Sequence, residues 1–183
     1  MVKFDTYRWI PAFAGMTKYS NFKLIHLHSE IYVKIKNITM NSENIVRNFI
    51  EIVLNKADFD AIDQYIDPHF QTHSLHHNPT PMGSMGTHPP SFKEALIHSQ
   101  KILANFNRAI DDLIVEGDKV VVRYTTTVTQ VGEFMGFAPT NKEVSFTGVS
   151  IYRIVGGKIV EEWYVWDRLG LHDQLKELGA VTV

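Results

Sequence analysis

The chain has 183 residues, 44% of them hydrophobic, enough for one globular domain with a core of its own. Its net charge of -2 gives neither nucleic acid nor an anionic membrane the basic surface each would require. Cysteine is absent, which excludes disulfides and thiolate chemistry and agrees with a cytoplasmic location.

Residues 1–39 read apart from the rest. In YRWIPAFAGMT, Pro11 and Gly15 break an apolar run too short for a membrane span and without a signal-peptide layout. The segment resembles the translation of a bacterial repetitive element found in open-reading-frame extensions. On that reading residues 1–39 are an extension outside the fold, 40–183 form the domain, and Met40 is a candidate start. Lys23 to Lys36 alternates loosely, as an added strand would.

The domain opens with Asn41 or Ser42 as a helix N-cap, Glu43 in the first turn, and Ile45, Phe49, Ile52 and Val53 on one face. Phe59, Ile62 and Ile66, with Tyr65 alongside, give a second short helix that ends before Pro68. The histidine-dense run from His69 to His77 follows. If it is extended, His69, His73 and His77 share one face. A metal site is not the expectation, because no carboxylate stands at a ligand spacing and HExxH is absent. Asn78 to Pro90 is a proline- and glycine-rich loop.

Ser91 and Glu94 form a capping box, and the helix they start carries Phe92, Leu96, Ser99, Leu103 and Phe106 on one stripe, read as core. From Ala109 the period changes to two, through a turn at Glu116-Gly117-Asp118 and on to Gln130. Val120, Val122, Tyr124, Thr126 and Val128 then share a face, which parity alone does not assign to the inside. Gly132 to Thr140 is unusually apolar for a connection. A second hairpin turns at Gly156-Gly157. In its last strand Ile159, Glu161, Trp163, Val165 and Asp167 alternate with Val160, Glu162, Tyr164 and Trp166. A carboxylate beside an indole at that strand's end is partly desolvated, which raises its pKa, and this singles out Asp167. Leu171, Leu175 and Leu178 stripe a closing helix, with Gly179 at its C-cap.

Helices followed by a long antiparallel meander make an α+β fold, a curved, mostly antiparallel sheet packed by N-terminal helices into a cone with an internal pocket. Gly132-Glu133-Phe134-Met135-Gly136, Pro139-Thr140, Tyr152-Arg153, Gly157-Lys158-Ile159, Glu162-Trp163 and Trp166-Asp167 together resemble the SnoaL-like polyketide cyclases, or ester cyclases, of the nuclear-transport-factor-2-like superfamily. The resemblance implies the cone fold, a homodimer, and cofactor-free, metal-free acid–base chemistry of the intramolecular aldol type on a small hydrophobic carbonyl compound. It implies Asp167 as the base and a cavity position for His73, which could hold an enolate or ketone oxygen. Trp163, Tyr152, Phe134 and Met135 are expected to shape the substrate pocket, and Tyr124 and Tyr65 are further candidates there. Ser150 and Tyr164 stand where relatives often carry an acidic or other polar group, so the base is open to reassignment. Two alternatives remain: an isomerase, dehydratase or hydrolase on the same pocket, and a non-catalytic binder. The binder would show Asp167 pointing outward and no other carboxylate inside. Asp167 could equally cap the last helix or pair at the surface.

Overall fold

A computed structural model describes residues 30–34, 41–75 and 91–179. The chain divides into two compact units, Met1–Ile38 and Thr39–Val183. In the first, residues 30–34 form a short helical stretch of exposed residues, not part of a strand. The rest of the expected extension, His76, His77 and the 78–90 loop lie outside the described residues.

The second unit is a five-stranded mixed sheet with helices packed on one face. Helix α1 covers 41–55; it is already helical at Asn41, and Phe49–Asn55 widens into a π-helix, with the Lys56 N–H reaching the Glu51 carbonyl. The wider turn moves the buried stripe to Val46, Phe49, Ile50, Val53 and Leu54. A 3₁₀ turn, Phe59–Ala61, leads into α2, Ile62–Tyr65. Extended structure begins at once, so Pro68 lies inside strand β1, Ile66–Ser74. Proline is tolerated there because β1 is an edge strand with an irregular register between Ile66 and Gln71.

Helix α3, Phe92–Gln100, starts at Ser91, whose Oγ accepts the Glu94 N–H. It stops sooner than the apolar stripe predicts: strand β2, Leu103–Glu116, already contains Leu103 and Phe106. Where the helix gives way, Val131 and Gly132 donate their N–H groups to the Ile102 carbonyl, and the approach is close enough that a Cβ at Gly132 would sit 2.9 Å from both Ile102 Cα and the Lys101 carbonyl oxygen. Strands β3, Lys119–Gln130, β4, Glu143–Val155, and β5, Lys158–Trp166, continue the antiparallel meander. The order is β1-β5-β4-β3-β2, with β1 parallel to β5. Helix α4, Arg168–Glu177, closes the unit on buried Leu171 and Leu175, while Leu178 is exposed.

The β3–β4 connection is held by one side chain. Gln130, fully buried, donates to the Gly132 and Ala138 carbonyls at 2.9 and 3.0 Å and accepts the Thr140 N–H at 2.8 Å. Inside that frame Phe134 and Phe137 exchange backbone hydrogen bonds across a two-residue turn, with Met135 and Gly136 both at positive φ. Phe134 and Phe137 are buried, and Phe137 packs on His172 of α4.

Candidate functional site

Between the helix-covered face of the sheet and helices α1 and α3 lies a cavity of about 730 Å³. Its floor is set by alternation: Phe70, Thr72 and Ser74 of β1, Tyr124 of β3, Phe146 and Tyr152 of β4, and Glu162, Tyr164 and Trp166 of β5 all line it. Phe92, Leu96, Ser99, Leu103 and Phe106, read from the sequence as a core stripe, also face this space. Most of the wall is apolar and aromatic, so its few polar groups carry the chemical information.

One group of these meets on the inner face of β4 and β5. Glu162 stands opposite Tyr152 in the strand register, and its Oε1 accepts the Ser150 Oγ–H at 2.8 Å. Burial pushes the Glu162 carboxyl pKa up, against the opposing pull of the Arg108 charge and of the nearby Ser150 and Tyr152 hydroxyls. Tyr152 is 1% exposed, and its hydroxyl has no hydrogen-bond partner among the described residues. Burial likewise pushes its pKa up, and that of Tyr124, so both phenols stay protonated donors. Tyr124 fits because position 148, directly opposite, is glycine; a Cβ there would lie 2.5 Å from the Tyr124 hydroxyl.

Arg108 of β2 supplies the cavity's cation. Its backbone is clamped from α1: Asn55 Oδ1 accepts the Arg108 N–H at 2.8 Å, and Asn55 Nδ2 donates to the Arg108 carbonyl at 3.2 Å. Arg108 itself pairs in register with Thr126, in the regular stretch between two register shifts of the β2–β3 ladder. The guanidinium lies 3.8 Å from the Tyr124 ring centroid, and its Nε–H donates to Thr126 Oγ1 at 3.1 Å.

The residues chosen from the sequence divide. Tyr124, Tyr152 and Phe134 line the cavity; Trp163, Met135 and Tyr65 do not. Tyr65 ends α2 against the core, and Met135 sits at the tip of its turn. Trp163 is on the opposite face of the sheet, stacked on His73 with ring centroids 5.3 Å apart. His73 is there too, because Thr72 and Ser74 take the inward positions of β1. Its Nε2 bonds Glu161 Oε1 at 2.8 Å, and Arg153 holds the other Glu161 oxygen, also at 2.8 Å. Arg153 first, then His73, hold the Glu161 carboxyl below the usual carboxylate range.

Asp167 is exposed, lies outside the cavity lining, and caps α4, its Oδ1 accepting the Gly170 N–H at 2.8 Å. That is the capping alternative left open by the sequence. The base role expected of Asp167 and the cavity role expected of His73 therefore have no support in this geometry. Glu162 and Arg108 were passed over. The one available signal was parity, since Glu162 shares its face with Tyr164 and Trp166. Among the described residues no cluster of three histidine, aspartate or glutamate side chains could hold a metal.

The SnoaL-like polyketide cyclase family model matches residues 44–175. The chain belongs to that family. Solved structures agree on the fold. A candidate polyketide cyclase from Acidithiobacillus ferrooxidans is similar with a TM-score of 0.64 at 24% identity, over 75% of this chain and 96% of that one. TsrD from Streptomyces laurentii gives 0.60 at 26% identity, over 78% and 97%. AclR from Streptomyces galilaeus, a candidate hydroxylase, gives 0.60 at 25% identity, over 77% and 82%. No curated protein matches the chain. A SnoaL-like scaffold thus accompanies more than one reaction label, and the site has to decide the chemistry.

Proposed function

We propose that this SnoaL-like protein catalyses cofactor-free acid–base chemistry of the intramolecular aldol type on a small hydrophobic carbonyl compound, with Glu162 as the base. The observation that carries the reading is a carboxyl with a raised pKa inside an aromatic cavity, beside a buried phenol. A carboxylate desolvated in this way is a stronger base than in water, and it returns a proton readily near neutral pH. In the proposed step Glu162 removes the proton from a carbon flanked by two carbonyls. The resulting enolate carbon attacks a second carbonyl of the same molecule, and the alkoxide so formed takes the proton back from Glu162. Tyr152 Oη donates a hydrogen bond to the oxygen where negative charge develops, as a phenol kept protonated by burial can.

The non-catalytic alternative expects Asp167 outward and no other carboxylate inside; Asp167 is outward, and Glu162 in the cavity lining speaks against the second half. Small hydrophobic molecules suit the apolar wall. A homodimer and a cytoplasmic location stay part of the proposal; among the described residues no helix is long and apolar enough to cross a membrane.

The test is deuterium exchange at the central carbon of 1-phenylbutane-1,3-dione in D₂O, followed by NMR. The protein is expected to accelerate exchange over buffer, and Glu162→Gln to lose about 10²- to 10⁴-fold of that acceleration. Exchange in Glu162→Gln at the wild-type rate would falsify the assignment.

A further inference from the structure

Arg108 is a buried cation without a counterion. It is 8% exposed, and among the described residues no carboxylate reaches ion-pair distance of its guanidinium. Of the five N–H donors that a guanidinium carries, one has a protein acceptor, the Nε–H bonded to Thr126 Oγ1. The group packs against two rings, Tyr124 at 3.8 Å and Phe106 at 5.2 Å from the ring centroids. Its terminal nitrogens have no hydrogen-bond acceptor among the described residues, and Arg108 is a lining residue of the cavity. An isolated buried charge is costly unless something pairs with it. Within the site Glu162 acts on Arg108 only from longer range, through its charge and not as an ion pair. Tyr124, Tyr152 and Tyr164 are neutral donors, all with pKa values pushed up by burial. Asp63, Asp67 and Lys93 also line the cavity, but Lys93 is paired with Asp60, and Asp67 accepts the His69 N–H. Among the described residues the guanidinium thus has two aromatic rings and one hydroxyl against it and no carboxylate at ion-pair distance.

We propose that the substrate is an acid: a planar aromatic or polyketide-like carbonyl compound bearing a carboxylate, which the terminal nitrogens of Arg108 bind through two parallel hydrogen bonds. This deepens the reading given above by naming the substrate class of the same site. The fork of a guanidinium matches a carboxylate in both spacing and charge, and the Tyr124 ring packs against it. Phe106, Phe146 and Trp166 offer the flat apolar contacts a fused ring needs. Anchored by its carboxylate at β2, a ring system laid across the sheet brings its carbonyl end toward Glu162 on β5. The order of strands, with β3 and β4 between β2 and β5, gives the molecule a defined orientation.

The probes are 2-naphthoate and methyl 2-naphthoate, matched in ring but not in charge, titrated calorimetrically into the full chain. The acid is expected to bind about tenfold or more tighter than the ester, as charge-assisted hydrogen bonds imply. Arg108→Met is expected to bind the two alike, and Arg108→Lys, which keeps the charge and loses the fork, to recover part of the preference. Equal affinities in the wild type, no binding of the acid, or a preference that survives in Arg108→Met overturns the proposal. If Arg108→Met does not fold, the wild-type ratio and Arg108→Lys decide it, since a full preference in Arg108→Lys rules out the fork. Glu162→Gln is expected to keep the acid-over-ester preference while losing carbon-acid exchange. The two readings thus fail by different measurements.

Discussion

Asp167 and Glu162 lie five residues apart and have opposite circumstances. Asp167 satisfies a free N–H at the start of α4 from the surface, the ordinary work of an N-cap aspartate. Asp167→Ala is expected to cost about 0.5–2 kcal/mol in a denaturant titration and to leave carbon-acid exchange unchanged; a large loss of exchange would return the base role to Asp167. A carboxylate's neighbours along the strand do not tell which face of β5 is inside. Alternation divided β5 correctly into two sets, yet both sets contained an indole and a carboxylate. Trp163 and Glu161 face outward with His73; Trp166 and Glu162 face inward. Arg108 was harder still to find, because its importance comes from Asn55 and Thr126, one remote in sequence and one on the neighbouring strand.

At the scale of elements, hairpins were the most legible feature. The turns at Gly117 and at Gly156-Gly157 fall where the glycines demanded, all three with positive φ. Helix ends were less so: the stripe from Phe92 to Phe106 has helical spacing, yet the chain changes to β2 at Leu103, just after Ile102 takes backbone hydrogen bonds from Val131 and Gly132, partners remote in sequence. The β3–β4 connection gives a sharper case. Gln130 looks like an ordinary polar residue at a strand end, but it bonds the backbone of Gly132, Ala138 and Thr140 at once. Gln130→Leu keeps the volume roughly and strands these groups. The expected loss is about 1–3 kcal/mol or more, because each unmet buried polar group carries its own penalty. Phe134 should loosen with the connection, which a lower melting temperature together with weaker naphthoate binding would reveal. An unchanged melting temperature would show the connection to be held by other means.

For the whole molecule, two neighbouring glutamates set the pH dependence in opposite senses. Glu162 has its pKa raised by burial in the folded state, so the folded protein keeps a proton that the unfolded chain has already released. Stability from this group is full below the unfolded carboxyl value, about 4.3, and is lost as pH rises through the folded value. Glu161, lowered by Arg153 and then His73, works the other way: its contribution is present above the unfolded value and is lost as pH falls through the folded one. Glu162→Gln should therefore be more stable than the wild type by a margin that grows as pH rises above about 4.3. Melting temperatures of both proteins across that range check this, and a margin independent of pH would contradict it.

The parallel pairing of β1 with β5 also bears on synthesis. Strand β1 leaves the ribosome early, yet its one neighbour in the sheet is the last strand made. At about 5–20 residues per second, it waits several seconds as an unmatched edge, with Pro68 to discourage wrong partners. A message truncated before Lys158 would release a chain whose first strand has nowhere to dock, a natural substrate for chaperones and proteases.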